Sequence, residues 1–112
     1  MSYEVIAAES FKRRYKKLRK TYKRMEEDFA SLLEILENNP SEGEAIPGFS
    51  NKIYKVRMKS TDMKRGKRGG FRVIYYLTDH IVYLLTIYAK AKRETISAND
   101  INVALKELDM VL

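Results

Sequence analysis

Cysteine is absent from the 112-residue chain, which excludes a disulfide framework, a thiolate zinc site, a thiol nucleophile and dithiol redox chemistry. Histidine occurs once, at His80, so neither a histidine metal cluster nor a nuclease that needs two histidines can be assembled. Long apolar runs are missing too. The longest, Ile81 to Ala89, has nine residues with a threonine inside it, against the roughly 20 that a helix needs to cross a bilayer. Near the N-terminus, Val5 to Ala8 is too short for a secretory core, and the basic residues follow it instead of preceding it. These absences predict a soluble cytoplasmic protein with no membrane segment. Gly66, Gly69 and Gly70 fit neither a Walker loop nor a GxGxxG dinucleotide loop, and no carboxylates are spaced for a supported metal site, so no cofactor or metal is expected.

Acidic residues are also in short supply: 15 Asp and Glu face 22 Lys and Arg, for a formal charge of +7. A surface of that sign favours a polyanionic partner, nucleic acid first. The length and the 45% hydrophobic content fit one domain around one modest core.

The hydrophobic pattern changes period along the chain. Tyr3 to Ala8, with β-branched Val5 and Ile6, predicts a short strand. From Phe11 the apolar positions recur at Tyr15, Leu18, Tyr22, Met25, Phe29, Leu32 and Leu36, a single helical stripe that Ser10 is placed to cap and Asn38-Asn39-Pro40 ends. The phase of the stripe is unbroken, which fits one long helix. Such a helix would overhang a domain this small, which favours a two-helix hairpin with its break near Thr21 to Lys23. Ser41 to Ser50, with Gly43 and Pro47-Gly48, predicts a surface loop.

Beyond it Tyr54, Val56 and Met58 alternate with Lys55, Arg57 and Lys59, so an extended backbone segregates apolar groups from cations. The strand-like run Phe71 to Leu77, the turn Thr78-Asp79-His80 and Ile81 to Ala89 complete an antiparallel three-stranded meander. Ser97 to Leu108 predicts a short terminal helix, with Ser97 as cap and Ile101, Ala104, Leu105 and Leu108 on one face.

Two basic regions carry the candidate chemistry. Lys12 to Arg24 holds nine cations and no acid, including like-charge i,i+4 pairs such as Lys12/Lys16 and Lys16/Lys20, which weaken an isolated helix and are relieved by phosphates. The plainer reading is a solvated basic face. The alternative makes Lys12, Arg13, Lys16, Lys17 and Lys20 an RNA grip. In the second region, Lys55, Arg57 and Lys59 share a strand face that Arg72 can join from the neighbouring strand, with Lys90 at the end of the last strand and Lys64, Lys67, Arg68 and Arg93 in adjacent loops. Converging cations stabilise the charge that builds up on a phosphodiester as it is cleaved, and crowding makes Lys55 or Lys59 a candidate proton carrier. A binding face without catalysis explains the same residues. Tyr75 and Tyr76 point to opposite faces, so one of them, Tyr76 in the RNA-contact set, is available to stack on a base. His80, in a hairpin turn, is expected at the surface.

The order strand, helical region, Asn39-Pro40 loop, cationic strand Tyr54-Lys55-Val56-Arg57-Met58-Lys59-Ser60, hairpin Gly66-Lys67-Arg68-Gly69-Gly70-Phe71-Arg72-Val73-Ile74-Tyr75-Tyr76 and strand Leu84-Leu85-Thr86-Ile87-Tyr88-Ala89-Lys90 resembles the RelE/ParE/HigB superfamily of bacterial toxins, and within it the HigB-like branch. The resemblance covers nearly the whole chain and implies a single α+β domain over residues 1–112. Its helical region would pack on a small antiparallel sheet. It further implies a toxin held by a cognate antitoxin, acting as a metal-independent endoribonuclease that cuts mRNA on the ribosome through the RNA's own 2′-hydroxyl. Matching positions would make Lys55, Arg57, Lys59, Arg72 and Lys90 the catalytic set. Two departures bear on mechanism: Ala91 follows Lys90 where relatives often have arginine, and no tyrosine occurs after Tyr88. Arg93 is then the candidate substitute for the arginine, and Lys59, Lys90 or Tyr88 for the base. A gyrase inhibitor of the ParE kind and a non-catalytic RNA-binding module are the alternatives on the same fold.

Overall fold

The computed structural model describes residues 2–63, 69–92 and 96–111, with side chains to residue 109. Eight elements follow in order: β1 (Glu4–Ala7), α1 (Glu9–Thr21), α2 (Met25–Asn38), β2 (Glu44–Ala45), β3 (Ile53–Met58), β4 (Phe71–Leu77), β5 (Ile81–Ala89) and α3 (Ala98–Val111). The strands form one sheet in the order β1-β5-β4-β3-β2; β1 runs parallel to β5 and the other neighbours are antiparallel. The expected meander is its centre. Two short edge strands extend it.

The helical stripe does break, between Thr21 and Met25. Tyr22 is extended, with φ −106° and ψ 94°. A straight helix over 11–38 would run to about 42 Å at 1.5 Å per residue, whereas the longest dimension of the molecule is 35 Å. Folding the stripe back keeps Phe11, Met25, Leu32 and Leu36 in a single core with Val56, Met58, Phe71, Val73 and Tyr75 of the sheet. The stripe keeps its phase because both helices face the same sheet surface.

The acids of this region have structural duties. Asp28 is buried in the first turn of α2 and accepts hydrogen bonds from the Thr61 amide (3.0 Å) and hydroxyl (3.3 Å). Asp62 accepts from the Arg24 amide at 2.8 Å, just before the same helix. Both carboxylates sit where the helix dipole favours negative charge.

Three local expectations need correction. Ser10 does not cap α1, which begins at Glu9 after Ala8; its hydroxyl instead donates to the Leu85 carbonyl. The reason is a bulge: Ile74 pairs with Thr86 and Tyr75 with Leu84, so Leu85 is the extra residue on β5. The 41–50 segment is not wholly loop, since Glu44–Ala45 pairs with β3, a contact too short and too distant in sequence to leave a periodic signal. Finally, α3 runs to Val111, three residues past Leu108. Ser97 does cap it, accepting from the Asp100 amide at 3.1 Å.

Helices α1 and α2 cover one face of the sheet. On the other, Ile101, Ala104 and Leu108 of α3 pack with Ile74, Tyr83, Leu85 and Tyr88. No helix covers the part of that second face formed by the far half of β3 and the start of β4, among the described residues. The cations lie there.

Candidate active site

Strand pairing places the cations before any side-chain detail is considered. Arg57 of β3 lies directly opposite Arg72 of β4, and Arg72 directly opposite Tyr88 of β5, so the three side chains form one row across one face. The next row is Lys55, Ile74 and Thr86. Two guanidiniums facing each other repel, and the fold compensates with a shared acceptor. The Gly69 carbonyl takes a hydrogen bond from Arg57 Nε (3.2 Å) and another from Arg72 Nη1 (3.2 Å), and the latter nitrogen also reaches the Phe71 carbonyl at 3.2 Å.

The turn that delivers this carbonyl depends on Gly70. Its φ is +82°, and a Cβ there would lie 2.6 Å from the Met58 carbonyl oxygen, so no side chain fits. Arg72 is pulled below the usual arginine pKa, first by partial burial and then by Arg57, with Tyr88 opposing. It remains a cation at physiological pH.

Lys55, Arg57, Arg72 and Lys90 line one open depression of about 540 Å³, with Glu42, Gly43, Glu44 and Val56 completing its wall. Four of the five residues expected at the centre therefore meet. Lys59 does not: it lies one residue past the end of β3, exposed, and is not part of the lining. Tyr76 sits two rows away, half-buried and stacked on Tyr83 with ring centroids 6.0 Å apart. His80 is exposed in its turn, as expected.

The loop on the wall is held from beneath by Tyr75. This fully buried ring stacks on Tyr54 (5.4 Å), and its hydroxyl donates to the Pro40 carbonyl (2.6 Å) and accepts from the Gly43 amide (3.2 Å). Burial raises the Tyr75 phenol to about 12; the Gly43 amide opposes the shift, and Tyr54 and Glu42 add to it. Tyr75 is thus the wall's anchor, with no surface for a base.

The other basic region, that of Lys12 to Lys20, lies on the outside of α1. Lys12, Arg13, Lys16, Lys17 and Lys20 are all exposed. Lys12 approaches Glu9 at 3.5 Å and Arg13 bridges to Glu107 of α3 at 2.9 Å. Arg13, Lys16, Lys17 and Lys20 border a groove of about 640 Å³ between α1 and α3. Arg14, Lys17 and Lys92 surround a separate notch of about 400 Å³ floored by Leu18, Ile87, Tyr88 and Ala89. Lys64, Lys67, Arg68 and Arg93 lie outside the described residues.

The sequence reading missed Glu42, Glu44, Arg14 and Lys92. The two acids reach the depression only through the β2–β3 pairing, which leaves no local trace. Arg14 and Lys92 belong to basic runs and carried no feature separating them from their neighbours. Among the described residues no group of three His, Cys, Asp or Glu is placed to hold a metal ion, and no helix is long and apolar enough to cross a membrane.

No family model matches the sequence. Among solved structures, the chain is similar to the E. coli toxin RelE, determined in the free state as a double arginine-to-alanine mutant, with 20% identity and a TM-score of 0.62 over 95% of this chain and 97% of that one. The fold is that of RelE. At this identity the likeness is one of architecture, and the chemistry of the RelE-like frame has to be argued from the residues this chain places on it.

Proposed function

We propose that this chain is the toxin of a type II toxin–antitoxin pair, of the HigB-like kind, and that it inhibits translation by cutting mRNA on the ribosome. The observation that carries the reading is the pair Arg57 and Arg72, opposed on adjacent strands and bound to one carbonyl, with Lys55 and Lys90 around the same open depression. A folded protein tolerates such repulsion where an anion is to be bound. Cleavage by the RNA's own 2′-hydroxyl passes through a phosphorane whose extra charge falls on the phosphoryl oxygens, and prepositioned guanidiniums stabilise it without reorganisation.

The catalytic set in this reading is Lys55, Arg57, Arg72 and Lys90, with Lys59 at its margin. Lys12, Arg13, Lys16, Lys17 and Lys20, together with Lys64, Lys67, Arg68, Arg93 and Tyr76, bind the surrounding RNA. The partners are a cognate antitoxin, the ribosome and mRNA in the cytoplasm, and the chemistry calls for no cofactor.

Ribosomes programmed with an end-labelled message test the reading. Wild type is expected to cut within the A-site codon, and Arg72→Ala to cut roughly 100- to 1,000-fold more slowly. Arg72→Lys, which keeps the charge but loses the fork, falls between. Unchanged far-UV circular dichroism establishes that the variants are folded. Binding without cleavage by wild type would make the protein a non-catalytic RNA-binding module, and inhibition of supercoiling without ribosomes would make it a gyrase poison.

A further inference from the structure

Resting on the nuclease reading, we infer that Glu44 is the general base that takes the proton from the attacking 2′-hydroxyl. The cationic face supplies charge stabilisation, yet it has no arginine directly after Lys90 and the chain has no tyrosine beyond Tyr88. Besides its cations, Lys90 among them, the depression offers carboxylates, which accept a proton without first having to lose one. The carboxylates in its wall are Glu42 and Glu44.

Register separates the two. Glu44 lies directly opposite Lys55 in the β2–β3 pairing, so its side chain leaves the sheet on the face that bears Lys55, Arg57 and Arg72. Its backbone is fixed by its neighbour: Gly43 donates to the Tyr75 hydroxyl at 3.2 Å, and a Cβ on Gly43 would stand 2.7 Å from the Lys55 carbonyl oxygen. Glu42 precedes the strand, and its charge acts on the Tyr75 hydroxyl, whose ring belongs to the opposite face. That places Glu42 at the sheet edge, off the arginine row. Glu44 makes no ion pair among the described residues, so its carboxylate is available to accept a proton.

The step balances within the substrate and solvent. The Glu44 carboxylate accepts the 2′-hydroxyl proton, and the freed oxygen forms a bond to the adjacent phosphorus. The bond from phosphorus to the 5′ oxygen breaks, and that oxygen takes a proton from water. One fragment ends in a 2′,3′-cyclic phosphate and the other begins with a 5′-hydroxyl; Glu44 then returns its proton to solvent. Lys55, Arg57, Arg72 and Lys90 face the same depression and hold the phosphate through the step, with Glu42 in its wall and the Tyr75 hydroxyl beneath it, bonded to Gly43.

Single-turnover cleavage on programmed ribosomes tests the inference with wild type, Glu44→Gln, Glu44→Ala and Glu42→Gln. The glutamine variant is expected to lose roughly 100-fold or more in the rate at saturating ribosomes, with ribosome affinity unchanged or tighter because a negative charge has gone. Formate added to Glu44→Ala is expected to restore part of the rate, which a merely structural role would not allow. Full-rate cutting by Glu44→Gln, a loss confined to affinity, no response to formate, or a base-like loss in Glu42→Gln alone would each overturn the assignment while leaving the nuclease reading in place. Intact message with wild type would remove both.

Discussion

At the scale of single residues, Tyr75 and Arg57 show two ways in which stability and function divide. Tyr75 is a buried phenol whose hydroxyl holds both Pro40 and Gly43. Replacing it with Phe leaves the Gly43 amide without that acceptor and is expected to cost about 1–3 kcal/mol in urea denaturation. Because folding raises the phenol from 10.0 to about 12, the protonated form is favoured in the folded state. Its contribution is complete below about pH 10 and is lost as pH climbs to about 12. Denaturation midpoints across that interval should fall for wild type and fall less for Tyr75→Phe. Arg57 behaves in the opposite way. It opposes Arg72 directly, so Arg57→Ala removes a repulsion along with one hydrogen bond to Gly69. Unfolding free energy is expected to stay within about 0.5 kcal/mol of wild type, while message cleavage drops by two orders of magnitude or so. A comparable loss of stability and activity would show that Arg57 is there for the fold.

At the scale of elements, the turn from α1 to α2 is held by acids outside the hydrophobic stripe. Asp28→Ala strips the Thr61 amide of its partner and removes a charge from the start of α2. We expect about 1–3 kcal/mol of destabilisation by urea denaturation, with Asp28→Asn losing less because it retains an acceptor oxygen. A neutral effect of the alanine would mean that the 60–63 segment finds other support. Elements whose order comes from their own periodicity were legible without coordinates: β4 and β5 end where the apolar runs end, and the helical stripe needed only the size of the molecule to be broken correctly. What sequence could not supply was long-range pairing. The bulge at Leu85 captures Ser10 across 75 positions, and the β2–β3 edge brings Glu44 beside Lys55. The cationic half of the site was legible because alternation on β3 is local; the acidic half was not.

At the scale of the whole molecule, a charge of +7 is divided between two surfaces that should respond to salt differently. The depression gathers Arg57, Arg72, Lys55 and Lys90 at one place on the sheet, whereas Lys16, Lys17 and Lys20 stand exposed along the turns of α1 with no ion pair among the described residues. Each phosphate neutralised by an exposed cation releases counterions, so the logarithm of the binding constant falls with the logarithm of salt in proportion to the number of contacts. Replacing Lys16, Lys17 and Lys20 together with Ala should flatten that slope by about 0.7 per lost contact on single-stranded RNA, and weaken binding across unrelated sequences alike. Cleavage at saturating ribosomes should hardly change, because these side chains lie outside the depression. Arg72→Ala should do the reverse, leaving most of the slope in place and removing the chemistry. If the triple α1 variant instead kept the wild-type slope, the nine cations of Lys12 to Arg24 would be a solvated face, and the positive charge that matters for binding would be that of the sheet.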